Sequence, residues 1–366
     1  MLRQLARLSV AVPAAGDRAT AIAVYGDSTD RALVAADLGH EGVACVDDVA
    51  RAAVLLCDLW ESTRLPRARA WALSLVDFLL YMQLGDGRFV NFIVDWDGRH
   101  NDRGPTSFAG GGFWHARGVR ALAKAWLALG DERARQGLAL GLPLIREGRD
   151  VPADVRSIHA LMAVELVRSG QLVELATDLE RWCAEIVALR GGDILLDNPD
   201  EAEPHLWGHL QEGVLAEAGR LLDRPDLIEI ARRSAVAYLA PLIESGFDLP
   251  MVQPYGVASA AYGVERLAAA THDPAFRGLA AKARAWFGGR NSAHLPVYDS
   301  GSGRVHDGID DGVLNPHSGA ESNIVAAQAL IADLVRIAPA LFPVVDACFP
   351  RTVRERIAGG ALQRTA

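Results

Sequence analysis

Twelve stretches of this chain repeat apolar residues at intervals of three and four, the period of an amphipathic helix, and they come in pairs. The stretches are 46–60, 66–84, 113–129, 132–145, 155–167, 172–189, 206–222, 226–243, 256–270, 274–287, 320–337 and 344–357. Within most pairs the link is short and polar, as at Gly130-Asp131, Asp223-Arg224 and His272-Asp273, and Pro225 and Pro274 stand where proline suits a first helical turn. The tetrapeptide Ala-Arg-Ala-Trp recurs at Ala68 to Trp71 and Ala283 to Trp286, a weak internal repeat of hairpin size. Six helical hairpins predict an all-α fold, an (α/α)6 barrel, ahead of an open superhelix or two smaller bundles. Residues 45–366 then form one barrel domain. Residues 1–44, with a helical period only at 30–38, form an N-terminal lid or edge segment.

Between hairpins the links are unequal. Segments 85–112 and 288–319 are long, 191–205 and 244–255 intermediate, and 149–154 short. Structureless loops longer than about 12–15 residues are uncommon in compact domains unless they are functional or disordered. These contain Trp, Phe and Tyr, which argues for function. In a ring of hairpins they gather on one face.

Charge and composition remove several classes of function. There are 37 basic and 46 acidic residues, net −9, and no Lys/Arg stripe, so a nucleic-acid partner is not expected. Lys124 and Lys282 are the only lysines. No run reaches the ~18–20 apolar residues of a membrane span. The apolar stretch 8–15 is short and contains Pro13, which is poor for a signal peptide, so a cytoplasmic protein is expected. Cys45, Cys57, Cys183 and Cys348 form no C-x-x-C pair and suit buried free thiols in a reducing compartment. No phosphate-cradling glycine loop and no G-x-S-x-G elbow is present.

Five constellations carry chemistry. Asp47 and Asp48 open a helix, where acids at a cap and first turn are ordinary; the D-D-x-x-D spacing of prenyl-diphosphate enzymes fails at Arg51. The second loop holds Asp95, Trp96 and Asp97, with Trp114 and His115 at the next helix start. Turns explain its glycines but not its tryptophans, and rings beside acids suit sugar recognition. The third is His205, Trp207, His209 and Glu212; the two histidines have a zinc-like spacing but no evident third ligand. Gln253 and Tyr255 stand at a helix mouth. The fifth loop brings His306, Asp307, Asn315 and His317 to Glu321, which with Ser318 also fits a capping box.

At these residues the chain resembles the six-hairpin glycosidase superfamily, and more closely the bacterial (α/α)6 proteins fused to or encoded beside glycosyltransferases. The matching pieces are C-V-D-D-V-A-R-A from Cys45, D-G-R-F-V-N-F from Asp86, Q-P-Y-G-V from Gln253, Y-D-S-G-S-G-R-V-H-D-G-I from Tyr298 and N-P-H-S-G-A-E-S from Asn315. The resemblance implies a carbohydrate-active enzyme. A glycoside hydrolase with two opposed carboxylates, inverting, is the first reading, on a bacterial oligo- or polysaccharide. Its candidate acids are Asp48, Asp97, Glu212, Asp307 and Glu321, with Asp48 or Asp97 opposite Asp307 or Glu321. Asp47, Asp95, His115, Gln253 and Asn315 are candidate sugar contacts, and Trp96, Trp114, Trp207 and Tyr255 stacking platforms. A sugar epimerase using His209, His306 or His317 as bases, and a non-catalytic glycan-binding partner of a glycosyltransferase, are the alternatives. No cofactor and no resident metal are expected; the calcium loop pattern is missing, and loop carboxylates stay open to a metal.

Overall fold

The computed structural model describes residues 1–29 and 42–362. In chain order the helices are α1 Leu2–Arg7, α2 Val46–Thr63, α3 Pro66–Met82, α4 Gly112–Leu129, α5 Glu132–Glu147, α6 Ala153–Arg168, α7 Leu175–Ala188 and α8 Gln211–Leu221. They continue as α9 Pro225–Ser234, α10 Ala240–Glu244, α11 Pro254–Thr271, α12 Pro274–Trp286, α13 Ala320–Ala329, α14 Ile331–Cys348 and α15 Arg351–Leu362. Strands are two or three residues long and confined to the links, so the chain is all-α as the periodicity predicts.

The hairpin turns follow from local backbone chemistry. Arg64, Gly130 and His272 take the left-handed conformation at the ends of α2, α4 and α11, and each donates its N–H to the carbonyl four residues back. Pro66, Pro225 and Pro274 open the returning helices, where a missing N–H costs nothing. Between α9 and α10 the chain makes one π turn, Ala235–Leu239.

The chain divides into two compact units. The first comprises Met1–Glu147, Asp299–Asp307 and Pro316–Ala366. In it α2 packs between α4 and α13, with α3 and α5 on their partners. The second comprises Gly148–Tyr298 and Gly308–Asn315. In it α8 packs between α6 and α11, and α7, α9 and α12 return along them. The sequence reading takes 45–366 as one domain; the contacts group it as three hairpins and three hairpins.

Two features depart from the sequence reading. The N-terminal residues are built into the first unit, since α1 packs on α13 and α14 and buries Leu2, Leu5 and Leu8, and strand Ser9–Ala11 pairs antiparallel with Thr20–Ile22. The helical stretch expected at 30–38 lies outside the described residues. The sixth pair is also not a regular hairpin. A helix was expected to run through 320–337, but α13 ends at Ala329 and α14 leaves at 104°. The segment expected at 344–357 is divided between α14, which ends at Cys348, and α15, which opens at Arg351 after Pro350, while Pro339 and Pro343 lie inside α14. Among the described residues no single helix is long and apolar enough to cross a membrane.

Close packing makes one test of the second unit simple. Gly213 of α8 faces Tyr262 of α11, and a Cβ there would lie 2.3 Å from the ring. Gly213→Ala is expected to destabilise the protein by about 1–3 kcal/mol through overpacking, read as a lowered urea midpoint with an unchanged m-value.

Candidate active site

The first unit gathers carboxylates at the N-termini of α2 and α13. A three-stranded ribbon, Ala44–Cys45 beside Phe92–Ile93 beside His100–Asn101, delivers the chain to α2. Cys45 is the N-cap: its Sγ accepts the N–H of Asp48 at 3.5 Å. Asn91 fixes the same turn, accepting the Asp47 N–H on its side-chain oxygen at 3.2 Å and donating to the Thr106 carbonyl at 2.9 Å. The two acids therefore occupy the first turn, where the helix dipole favours them, and they point to different partners. Asp47 pairs with Arg117 of α4 at 3.1 Å. Asp48, 3% exposed, pairs with Arg51 at 2.8 Å.

Arg51 reaches onward to Glu321 of α13 at 2.5 Å, so one guanidinium holds two carboxylates. Burial raises the Asp48 carboxyl to about 6; Arg51 opposes the rise and the Glu321 charge adds to it. Glu321 is the more accessible of the pair, with 29% of its side chain exposed.

Asp307 joins from the loop before α13. Its Oδ1 accepts the Gly319 N–H at 2.8 Å, at the first turn of α13, and its own N–H bonds the His317 carbonyl at 3.0 Å. Burial holds its carboxyl above the ordinary range despite that amide and the Ser322 hydroxyl, and Glu321 pushes the same way. Tyr25 completes the group. The carbonyls of Val24 and Gly26 accept the N–H groups of Ala320 and Ser318, which seats Tyr25 beside the α13 N-terminus. Burial, Asp48 and Glu321 push its phenol upward, so it stays a neutral hydroxyl.

The expected capping box is not formed. The N-cap of α13 is Gly319, with no side-chain cap; Ser318 Oγ accepts from Asn323 at 3.0 Å, and Glu321 is engaged by Arg51. His306 and His317 are half-buried near Asp307. Asp97 is exposed at the tip of the ribbon's hairpin, a turn whose glycine packs on Ala14 and Tyr81, while Asp95 pairs with Arg99 and Trp96 is half-buried beside it. The structure thus brings Asp48, Asp307 and Glu321 together and places Asp97 elsewhere.

Trp114 and His115 have structural tasks in place of sugar contacts. Trp114 is 8% exposed, and its indole N–H is shared by the carbonyls of Phe89 and Phe108 at 3.1 and 3.0 Å. It pins the long loop to α4 and offers no open ring face. His115 is buried against the Gly141 carbonyl at 3.3 Å, and burial lowers its pKa, so it is neutral.

The second unit holds its own polar cluster. His209 is 1% exposed between Asp197, at 2.9 Å from Nδ1, and Glu212, at 2.9 Å from Nε2. Glu212 also accepts the Ser234 hydroxyl at 2.7 Å, and Asp197 accepts from Gln211 at 2.6 Å. Burial opposes the charge on His209, but Glu212 and Asp197 outweigh it and push its pKa up to about 10. Both ring nitrogens are occupied, so His209 is a fixed imidazolium and not a base; Glu212 is its counterion, fully buried. Trp207 is half-buried beside His205, 6.1 Å between rings. Gln253 caps α11 and accepts the Tyr255 hydroxyl. Asn315 donates to Asp310 at 3.3 Å.

Sequence reasoning missed Tyr25, Arg51, Asn91 and Arg117. Arg51 had a signal, since it stands at i+3 from Asp48 on a helix; Tyr25 lies in a segment without periodicity.

No family model matches the sequence, and no curated protein matches it. Solved structures do. A D-mannose isomerase aligns over 91% of this chain and 96% of its own, at 10% identity and a TM-score of 0.67. A sugar epimerase from a ruminal bacterium aligns over 86% and 92%, at 12% identity and 0.66. A family 76 glycoside hydrolase from a bovine Bacteroides thetaiotaomicron strain aligns over 86% and 73%, at 11% identity and 0.61. At these identities the likeness establishes the fold, that of the six-hairpin (α/α)6 proteins.

The Asp48 shift fixes the sign of a pH effect. A carboxyl raised in the folded state stabilises below its unfolded pKa, and that contribution is lost as pH rises through the folded value of about 6. Wild-type stability minus that of Asp48→Asn is expected to fall by as much as ~3 kcal/mol from about pH 4 to pH 7. Paired urea titrations across that range check it; a flat difference would remove the raised carboxyl.

Proposed function

We propose that the protein is a carbohydrate-active enzyme, a glycoside hydrolase acting on a bacterial oligo- or polysaccharide through carboxyl groups of the first unit. The observation that carries this is the split between two acids at the α13 N-terminus. Glu321 is paired with the Arg51 guanidinium, which favours its ionised form, while Asp307 is held toward its protonated form by burial. One acid to donate a proton to the leaving oxygen and one carboxylate to act on water or the sugar carbon is the pairing that glycosidic hydrolysis requires. Asp48, buried beneath Arg51, is a positioning residue in this reading. Tyr25, as a neutral hydroxyl, is a donor to substrate oxygens.

An epimerase is the second reading, favoured by His306 and His317 beside Asp307 and by the sugar epimerase and D-mannose isomerase among the similar structures. His209 has no part in it, because its nitrogens are occupied. A glycan-binding partner of a glycosyltransferase needs no protonated acid and leaves the Asp307 arrangement without a use. The four free thiols support a reducing compartment, and the cytoplasm is our proposed location.

The test is a panel of oligosaccharides followed by chromatography, with wild type, Asp307→Asn and Glu321→Gln. New reducing ends are expected from wild type, and each variant is expected to lose about 10²–10⁴-fold in kcat with its circular dichroism unchanged. The basic limb of the pH profile is expected to lie above the ordinary carboxylate range, where Asp307 gives up its proton. Mass-neutral conversion of a sugar, insensitive to Glu321→Gln, would replace the hydrolase by the epimerase.

A further inference from the structure

We propose that Asp154, Asp197 and His205, in the second unit, form a binding site for a divalent transition-metal ion of the Zn²⁺ class. One ligand atom from each of the three lies within 4.8 Å of the others. They come from separate places in the chain: Asp154 from the first turn of α6, Asp197 from the loop after α7, and His205 from the approach to α8. The backbone ties the first two together, because Ala153 donates its N–H to the Asp197 carbonyl at 2.8 Å.

The His205 contacts are longer than good hydrogen bonds, and one of its ring nitrogens can serve an ion shared with the two carboxylates. His205 Nε2 is 3.4 Å from Asp154 Oδ2, and Nδ1 is 3.8 Å from Asp197 Oδ2. Good N–H···O bonds run at about 2.7–3.2 Å. A cation among the three needs each ligand atom drawn inward by roughly 0.7 Å or less to reach about 2.0–2.2 Å.

An independent observation points to a ligand. Asp197 is wholly buried, and its Oδ2 accepts no hydrogen bond among the described residues; the facing His205 Nδ1 has none either. A buried carboxylate oxygen left without a donor costs about 1–3 kcal/mol or more. Its other oxygen is heavily engaged, by Gln211 at 2.6 Å and by His209 at 2.9 Å. That is the support a metal-binding carboxylate receives from its surroundings: one oxygen held by outer donors, the other aimed at the ion. His205 keeps 34% of its side chain exposed, which gives the ion a route in. Two carboxylates and one imidazole give a mixed oxygen and nitrogen set, suited to Zn²⁺ or Mn²⁺ and poor for Ca²⁺. The sequence shows H-x-x-x-H at His205 and His209, but His209 is spent on Asp197 and Glu212, and the remaining ligands are the two aspartates.

The test uses the full chain, stripped with a chelator, dialysed against Zn²⁺ and separately Mn²⁺, and assayed by elemental analysis and thermal melting. Wild type is expected to retain about one ion per chain with a raised Tm, and His205→Gln and Asp154→Asn to lose binding at least about tenfold. His205 is partly exposed, so His205→Gln is expected to fold, which circular dichroism checks. Failure of wild type to retain either ion overturns the site, as does retention undiminished in both variants. Neither readout depends on catalytic activity, so the outcome is separate from that of the hydrolase test.

Discussion

One guanidinium holds the first unit's acids in place. Arg51 joins Asp48, three residues away on its own helix, to Glu321, 270 residues along the chain. Its side chain is only 13% exposed, and a charge so placed is tolerable only when paired and hydrogen-bonded. Two carboxylates share this one cation, so together they carry an excess negative charge in a poorly solvated place. Asp48 is the more deeply buried of the two, and burial first, then the Glu321 charge, raises its carboxyl to about 6 against the opposing pull of Arg51. The same excess acts on Tyr25 and Asp307, both raised in part by Glu321.

That network depends on how α13 begins. A helix start leaves backbone N–H groups without partners, and a Ser-x-x-Glu sequence ordinarily supplies them from its own side chains. Here the donors of Ser318 and Ala320 go to the carbonyls of Gly26 and Val24, and that of Gly319 to Asp307. Glu321 is released from capping and turned to Arg51. Gly319 is required by the same contact, since a Cβ would lie 2.8 Å from the Val24 carbonyl. The N-terminal segment is held there in turn by α1, whose Gln4 donates to the Ser318 carbonyl at 3.3 Å. The first residues of the chain are thus part of what orients the acid site.

The hairpins were legible because burial on one helix face writes a period into the sequence, and each turn is a local matter of left-handed caps and prolines. Asp47, Asp48, Asp307 and Glu321 were legible as acids at helix starts and in a polar loop. What partnered them was not, because Arg51–Glu321 and Asp47–Arg117 are tertiary choices with no sequence spacing of their own. Tyr25 left no signal at all, since its position is set by two backbone carbonyls beside it. Trp114 and His115 show the reverse error. A tryptophan and a histidine after a run of glycines look like a sugar platform, yet the indole N–H is used to close the loop and the imidazole to meet a buried carbonyl. Gly111 is needed for that closure, for a Cβ there would overlap the Trp114 ring.

His205 and His209 make the limit of spacing arguments concrete. They stand four residues apart, the separation that suggests two ligands on one face. His209 Nδ1 and Nε2 each meet a carboxylate at 2.9 Å, inside a site with 1% exposure. Such an imidazolium is a structural cation: removing it would leave Asp197 and Glu212 as buried unpaired charges, at about 3–5 kcal/mol. His205 meets its two carboxylates at 3.4 and 3.8 Å and is one-third exposed, so it is neither locked nor satisfied. The difference lies in where the second carboxylate sits. Glu212, in the first turn of α8 three residues after His209, closes on it, whereas Asp154 approaches His205 from another hairpin and stops at 3.4 Å. The gap between that imidazole and two buried carboxylates is what the proposed cation site rests on, whereas the closed triad around His209 holds a proton.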